Sequence, residues 1–485
     1  MSSTKSKMLK GILWITIDKY SGLALSIIVS MVLARLLTPD EFGLLTVASV
    51  VLAFIGLLSN MGLGPAIIQE QNLTKKDTNS VFTFTIIVGL VLAGVYFCLS
   101  WSIARFYNNA QLVPVCQLLS VSFFFGVINN VPKSLMVKHQ RFKEMAVGSI
   151  AMNAATGPIA ILAAYKGLGV YSLMIAPFLN SVILLFYYRR FYPCSIDWHM
   201  SMAPIRRMAS FSLYQLGFEL VNYFSRNLDK LIIGRWMSIR DLGYYDKSYR
   251  LMQQPQNNIT SVLTPVLQPN FAQYQHDMGM MARQYLRVIS TMAAISFPLG
   301  ITLCMCGPEI IRLMYGPQWE RAIPCFQILC LSLPSAMLTS TTGAIFQASN
   351  ATKYHFYVGV VNTCCLSLCF FMAAYCYRTI EAVALAWTLF IGIGGLIISF
   401  ASMFRLVFKQ SVLLLFRQLL RPLGNLIMLY VALSLSDALW ALPMALSLVT
   451  KLMVAALLTG IYMQTTGEYD LVEAAKHLLR RRKKL

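Results

Sequence analysis

The sequence predicts an all-α polytopic membrane protein. It reads as two six-helix lobes related by a parallel repeat, followed by two further helices, about 14 spans in total. Three observations carry this. Of 485 residues, 57% are hydrophobic and only 12% are charged, more apolar surface than a soluble domain of this size can hide. Runs such as "VFTFTIIVGLVLAGVYFCLSW" are long enough to cross a bilayer and show no ten-residue alternation of the kind a β-barrel needs. And two patterns recur, in the same order, in the two halves of the chain.

The spans centre at about residues 24, 55, 92, 124, 156, 179, 222, 258, 295, 335, 366, 393, 427 and 452. An even number places both termini on one side. With the N-terminus inside, about 25 of the 40 Lys and Arg fall in the inner segments, as the positive-inside rule requires. The net charge of +21 therefore reads as topology, and no basic soluble domain is left to bind nucleic acid. The start "MSSTKSKMLKGILWITIDKYSG" has no small-residue cleavage site and reads as a cytoplasmic segment entering the first helix. The longest loop, "RRFYPCSIDWHMSMAPIRR", is too short to fold alone. Function must then reside in the helices or in short loops. Eleven cysteines, Cys304/Cys306 and Cys364/Cys365 among them, lack metal-ligand spacing and read as reduced, small apolar residues.

The repeat fixes the expected domain plan. "ARLLTPDEFGLL" (Ala34–Leu45) and "GRWMSIRDLGYY" (Gly234–Tyr245) align Arg35 with Arg235, Thr38 with Ser238 and Gly43 with Gly243. Each ends one span and starts the next, with Thr38 and Ser238 as helix-starting residues. "PVCQLLSVS" at Pro114 and "PCFQILCLS" at Pro324 share Pro–x–x–Gln–x–Leu–x–x–Ser. Six spans per copy is an even number, so the copies share orientation, an arrangement suited to alternating access. The expected lobes are 1–190 and 208–407, joined by a cytoplasmic linker at 191–207. Two helices follow at 408–465, and the basic amphipathic tail at 466–485 reads as an anchor on anionic lipid.

Charged and amide side chains inside spans are costly and mark solvated cavities. On span 7, Gln215, Glu219, Asn222, Arg226 and Lys230 recur at three- and four-residue steps and share a helix face. Asp229 lies one turn from Arg226 and is placed to neutralise part of its charge. Span 8 adds Arg250, Gln254 and Asn257, with Asp246 and Lys247 close to its outer end. Span 1 carries Asp18 and Lys19 near the inner interface, where snorkelling is the competing reading. Guanidinium groups bind phosphate or carboxylate and amides match sugar hydroxyls. The expected ligand is thus anionic and hydroxyl-rich, with Glu219, Asp229 and Asp18 as candidate sites for a coupling H⁺ or Na⁺ and with neither a metal site nor a bound cofactor.

"RNLDKLIIGRWMSIRDLGYYDKSYRLMQQP" and "ARLLTPDEFGLLTVASVVLAFIGLLSNMGLGPAIIQ" together resemble the polysaccharide flippases, in particular the colanic-acid-exporter-type lipopolysaccharide/O-antigen translocases of the multidrug/oligosaccharidyl-lipid/polysaccharide exporter superfamily. Arg226, Asp229, Lys230, Gly234 and Gly243 match typical family positions; "WMSIRDLG" departs from the many relatives that carry a glycine before the loop. The resemblance implies two six-helix lobes around a central cavity and no enzymatic activity. It implies export of a lipid-linked oligosaccharide on a polyprenyl diphosphate across the bacterial inner membrane, and contact with membrane lipids and with polysaccharide polymerase and export proteins. A monomer is expected. A multidrug/cation antiporter and a lipid II flippase are the rival readings. A polymerase or ligase would be expected to carry a substantial outer loop, which is missing here.

Overall fold

The computed structural model describes residues 2–60, 63–70, 72–199, 201–202, 212–439 and 443–466. Every regular element among them is helical. Twelve helices are long and apolar enough to cross a membrane, so this is a multi-pass membrane protein. They coincide with twelve of the fourteen expected spans. The other two, spans 7 and 8, are present as helices of 25 and 34 residues. They fall outside the twelve because of their polar stripes.

Contacts divide the chain into two compact units, Met1–Gly243 and Tyr244–Leu485. The first holds α1 (Ser2–Leu36), α2 (Pro39–Asn60), the short α3 (Leu63–Gln69), α4 (Lys75–Phe106), α5 (Leu112–Lys138), α6 (Phe142–Tyr165), α7 (Ser172–Phe191) and α8 (Ser212–Trp236). Helix α4 starts with a full capping box: the Thr74 hydroxyl accepts from the Asp77 amide, and the Asp77 carboxylate accepts from the Thr74 amide, both at 3.1 Å. Helices α4 and α5, α5 and α7, α6 and α7, and α1 and α6 pack in pairs.

The beginning of the expected inter-lobe linker is tied down. Ser195 N–H donates to Asn79 Oδ1 at 3.1 Å, Asp197 N–H donates to Thr83 at 2.8 Å, and Ser80 donates to the Asp197 carboxylate at 3.1 Å. Cys194 is buried there, and burial pushes its thiol up to about 11. It is thus held as an unreactive thiol at neutral pH. The rest of the linker, 203–207, and residues 467–485 of the basic tail lie outside the described residues.

The second unit holds most of α9 (Ile239–Ala272), then α10 (Met278–Met305), α11 (Gly307–Tyr315), α12 (Ala322–Thr339), α13 (Thr342–Ala348) and α14 (Thr352–Cys376). Next come α15 (Ile380–Leu389) and α16 (Leu396–Ser402), which π-helical turns join into one span to Phe408, and finally α17 (Leu413–Leu439) and α18 (Met444–Thr466). All eleven cysteines are free.

Helix boundaries fall at the same offset in the two copies of the turn pattern. Helix α1 ends at Leu36 and α2 starts at Pro39, while α8 ends at Trp236 and α9 starts at Ile239, the same offset as the sequence match. Helices α5 and α12 each begin two residues before the shared proline, Pro114 or Pro324. A proline in the first turn removes only an N–H that has no intrahelical acceptor there.

The two copies of the turn also touch. A Cβ on Gly43 would lie 1.9 Å from the Ile239 carbonyl oxygen, and one on Gly243 would lie 2.0 Å from the Pro39 carbonyl oxygen. Each glycine therefore admits the backbone of the other copy. Each cap is closed by an acid three residues on: Thr38 N–H donates to Glu41 at 2.7 Å, and the Ser238 hydroxyl donates to Asp241 at 2.7 Å. Arg240 Nε binds Asp40 at 2.6 Å across the pair, but both side chains are about half exposed, so this contact adds about 1 kcal/mol at most.

A buried charge cluster fastens the helices that lie outside the repeat. Lys451 on α18 places Nζ 2.5 Å from Glu309 on α11 and 2.6 Å from Asp437 on α17. Lys451 is almost fully buried, and Ser447 also donates to Glu309 at 3.0 Å. Removing one partner of a buried pair strands the other charge, at a cost of about 3–5 kcal/mol. Lys451→Met is expected to lower the melting temperature of the purified protein sharply. The double change Lys451→Met, Glu309→Gln is expected to restore much of the lost stability, because it removes the stranded buried charge while Asp437, 44% exposed, is hydrated. Wild-type melting of the single variant would remove the cluster from the stability account.

Candidate functional site

Span 7 was expected to supply the ligand-binding face, and it is α8. Its backbone is helical from Ser212, so the three- and four-residue steps do place the stripe on one face. The side chains of Gln215, Glu219 and Asn222 lie outside the described residues. Arg226 is exposed and forms no ion pair with a described residue. Asp229 and Lys230 are buried, and Asp229 Oδ1 accepts from the Lys230 amide at 2.8 Å. The helix is held by aromatic packing against α2: the Tyr223 hydroxyl donates to the Val50 carbonyl, and Phe54 meets the rings of Tyr223 and Phe224 at 5.6 and 5.7 Å. The helix thus holds Arg226 with its guanidinium accessible and with no ion pair to a described residue.

On α9, Arg250 Nε binds Asp246 Oδ2 at 2.6 Å. The acid is 7% exposed and the arginine 59%, so the buried carboxylate fixes a guanidinium whose other nitrogens remain accessible. Asp246 and Lys247, expected near the outer end of span 8, are both buried. Lys247 Nζ sits 4.9 Å from the centre of the Tyr315 ring and 5.9 Å from that of Trp319, a cation–π arrangement that partly replaces lost hydration. The four-residue spacing of Asp246 and Arg250 was the available signal for their pairing. Gln254 is half-buried and Asn257 exposed, farther along the same helix. Arg226 and Lys230 belong to the first compact unit, and Arg250, Gln254 and Asn257 to the second.

On α1, Lys19 is exposed and Asp18 is half-buried. The snorkelling position expected of Lys19 is compatible with that exposure. Among the described residues no group of three or more His, Cys, Asp or Glu is placed to hold a metal ion. Two polar groupings escaped the sequence reading. One is the Glu309–Lys451–Asp437 cluster, signalled only by a lone lysine in an apolar run. The other is an amide ladder in the first unit, in which Asn180 Nδ2 donates to Asn153 Oδ1 at 3.1 Å. Neither asparagine stands out in a sequence, because its partner is on another helix.

Residues 32–324 match the model of a family described as polysaccharide biosynthesis protein, which is well over half of the chain. The chain belongs to that family. Curated proteins similar to this chain include the lipopolysaccharide biosynthesis protein WzxC of Escherichia coli K12, 25% identical over 74% of this chain and 74% of the relative. The succinoglycan biosynthesis transport protein ExoT of Rhizobium meliloti is 24% identical over 66% of this chain and 65% of the relative. Among solved structures, the lipid II flippase MurJ in an inward closed conformation superposes with a TM-score of 0.73, covering 94% of this chain and 98% of that one at 14% identity. An inward-facing multidrug resistance MATE family transporter of the MOP superfamily gives 0.61, covering 82% and 98%, also at 14% identity. The chain thus shares the fold of these two transporters, the helical fold its sequence led one to expect.

Proposed function

We propose that this protein is a flippase, not an enzyme. It moves a lipid-linked oligosaccharide, carried on a polyprenyl diphosphate, from the cytoplasmic to the outer face of the bacterial inner membrane. The observation that carries the proposal is the exposed Arg226 on an intramembrane helix that also bears amides and carboxylates. A diphosphate needs cations, sugar hydroxyls need amides, and the bilayer accommodates the lipid tail. Family membership and the names of the relatives, WzxC and ExoT, support the same substrate class.

The mechanism is alternating access. The cations available to the diphosphate headgroup are Arg226 and Lys230 on α8 and Arg250 on α9; Gln215, Asn222, Gln254 and Asn257 are the amides available to sugar hydroxyls, and Lys19 is a further cation on α1. Both termini are cytoplasmic. The export and polymerisation proteins act on the product outside. Export is coupled to H⁺ or Na⁺, with Glu219, Asp229 and Asp18 as the acids whose charge a bound cation would cancel. The mixed basic face disfavours the drug/cation antiporter reading, which calls for an acidic, aromatic cavity.

Cells lacking the protein are expected to accumulate the lipid-linked repeat unit where externally added periplasmic glycosidases cannot reach it. Full accessibility of the accumulated lipid in such cells would overturn the proposal. For coupling, Glu219→Gln is expected to flatten the pH or sodium dependence of transport in vesicles. An unchanged dependence removes Glu219 from that step.

A further inference from the structure

The first compact unit contains a cavity of about 480 Å³ between α1, α2, α6 and α7, within the range of small-ligand sites, roughly 300–1,000 Å³. Its polar lining is Ser26, Ser30, Asn153, Thr156 and Asn180, and the remaining wall is apolar apart from Gly22 and Gly157. Among the described residues, no charged side chain lines it. The amides form the ladder already described, Asn180 donating to Asn153 at 3.1 Å. Beneath them the buried Thr156 hydroxyl donates to the Met152 carbonyl at 2.8 Å and lies 3.3 Å from Asn180 Oδ1. The ladder fixes both amide planes. It leaves the Asn153 amide nitrogen without a hydrogen-bond partner among the described residues, open to the cavity. Gly22 opposite leaves the space free: a Cβ there would meet nothing nearer than that nitrogen, at 3.9 Å.

The chemistry of this lining excludes more than it allows. Without a cation it is a poor phosphate site. Without a carboxylate it offers no protonatable group and only weak, neutral ligands to a metal ion. Amides and hydroxyls that both donate and accept match a neutral ligand that does the same, and the apolar wall matches the C–H faces of a sugar ring. We propose that this cavity is a sugar subsite, which takes a monosaccharide of the lipid-linked headgroup while the basic residues of α8 take its diphosphate. The inference rests on the flippase reading and deepens it. The cavity between α1, α2, α6 and α7 then selects the sugar, and α8 of the same unit anchors the phosphate.

The test is binding by full-length protein in detergent of two probes: bare polyprenyl diphosphate, and the same carrier bearing the oligosaccharide. Wild type is expected to prefer the glycosylated carrier. Gly22→Leu, which fills the cavity, and Asn153→Ala, which removes the open amide, are each expected to weaken binding of that carrier tenfold or more. Both variants are expected to leave binding of the bare carrier within twofold of wild type. If Gly22→Leu does not fold, Asn153→Ala decides alone. The subsite is overturned if folded Asn153→Ala binds the glycosylated carrier as wild type does, or if both carriers weaken equally. It is also overturned if free oligosaccharide competes as well as the glycosylated carrier, which would make the ligand a soluble sugar. Arg226→Glu is the separating control: it is expected to weaken both carriers. Unchanged binding of both by that variant would remove the phosphate anchor and leave the Asn153 comparison to judge the cavity.

Discussion

Arg226→Glu is expected to abolish polysaccharide export while the protein still reaches the membrane in normal amount. Arg226 is exposed on α8 and has no carboxylate partner among the described residues, so reversing its charge breaks no internal pair and folding should survive. A charge-assisted hydrogen bond to a phosphate contributes about 1.5–3 kcal/mol. Replacing attraction by repulsion adds to that loss, so transport should fall by about 100-fold or more. Arg226→Lys keeps the charge but not the bidentate fork and should retain intermediate activity. The measurement is surface polysaccharide per cell, normalised to membrane-inserted protein. Normal export by Arg226→Glu would remove Arg226 from the substrate path.

The second large effect belongs to the paired turns. Gly43→Ala and Gly243→Ala each drive a methyl group to about 2 Å from a backbone carbonyl oxygen, Ile239 or Pro39 respectively. No rotamer change relieves a clash with backbone. Overpacking costs about 1–3 kcal/mol, and the upper end applies here because both neighbours are main chain. Both variants should melt well below wild type and lose transport. The control is Arg240→Ala, which removes only the half-exposed contact to Asp40 and should melt within a few degrees of wild type. Equal melting of Gly43→Ala and wild type would show that the turns do not pack as described.

Much of this architecture was legible in the sequence, for identifiable reasons. Apolar length reports bilayer crossing directly, so twelve spans fall where the runs are. The turn repeat was legible because its letters are polar or glycine, which chance apolar resemblance does not supply. What Gly43 and Gly243 do was not legible: that each glycine faces the other copy's carbonyl is a fact of packing between segments two hundred residues apart. The polar stripe of α8 could be read because its spacing lies within one helix. Charge pairs within a helix, such as Asp246–Arg250, were open to the same reading, but the burial that fixes their role was not. Groups assembled from different helices stayed hidden. Glu309, Asp437 and Lys451 come from three helices, and Asn153 and Asn180 from two.

The central claim is that the protein moves a diphosphate-linked oligosaccharide across a bilayer. Purified protein reconstituted into liposomes, with the glycosylated polyprenyl diphosphate placed in both leaflets, tests it most directly. A glycosidase added outside cleaves only outward-facing headgroups. The account predicts that wild-type liposomes go on to lose the inner-leaflet pool, whereas protein-free and Arg226→Glu liposomes stop at about half. Equal, half-complete cleavage in all three would contradict it.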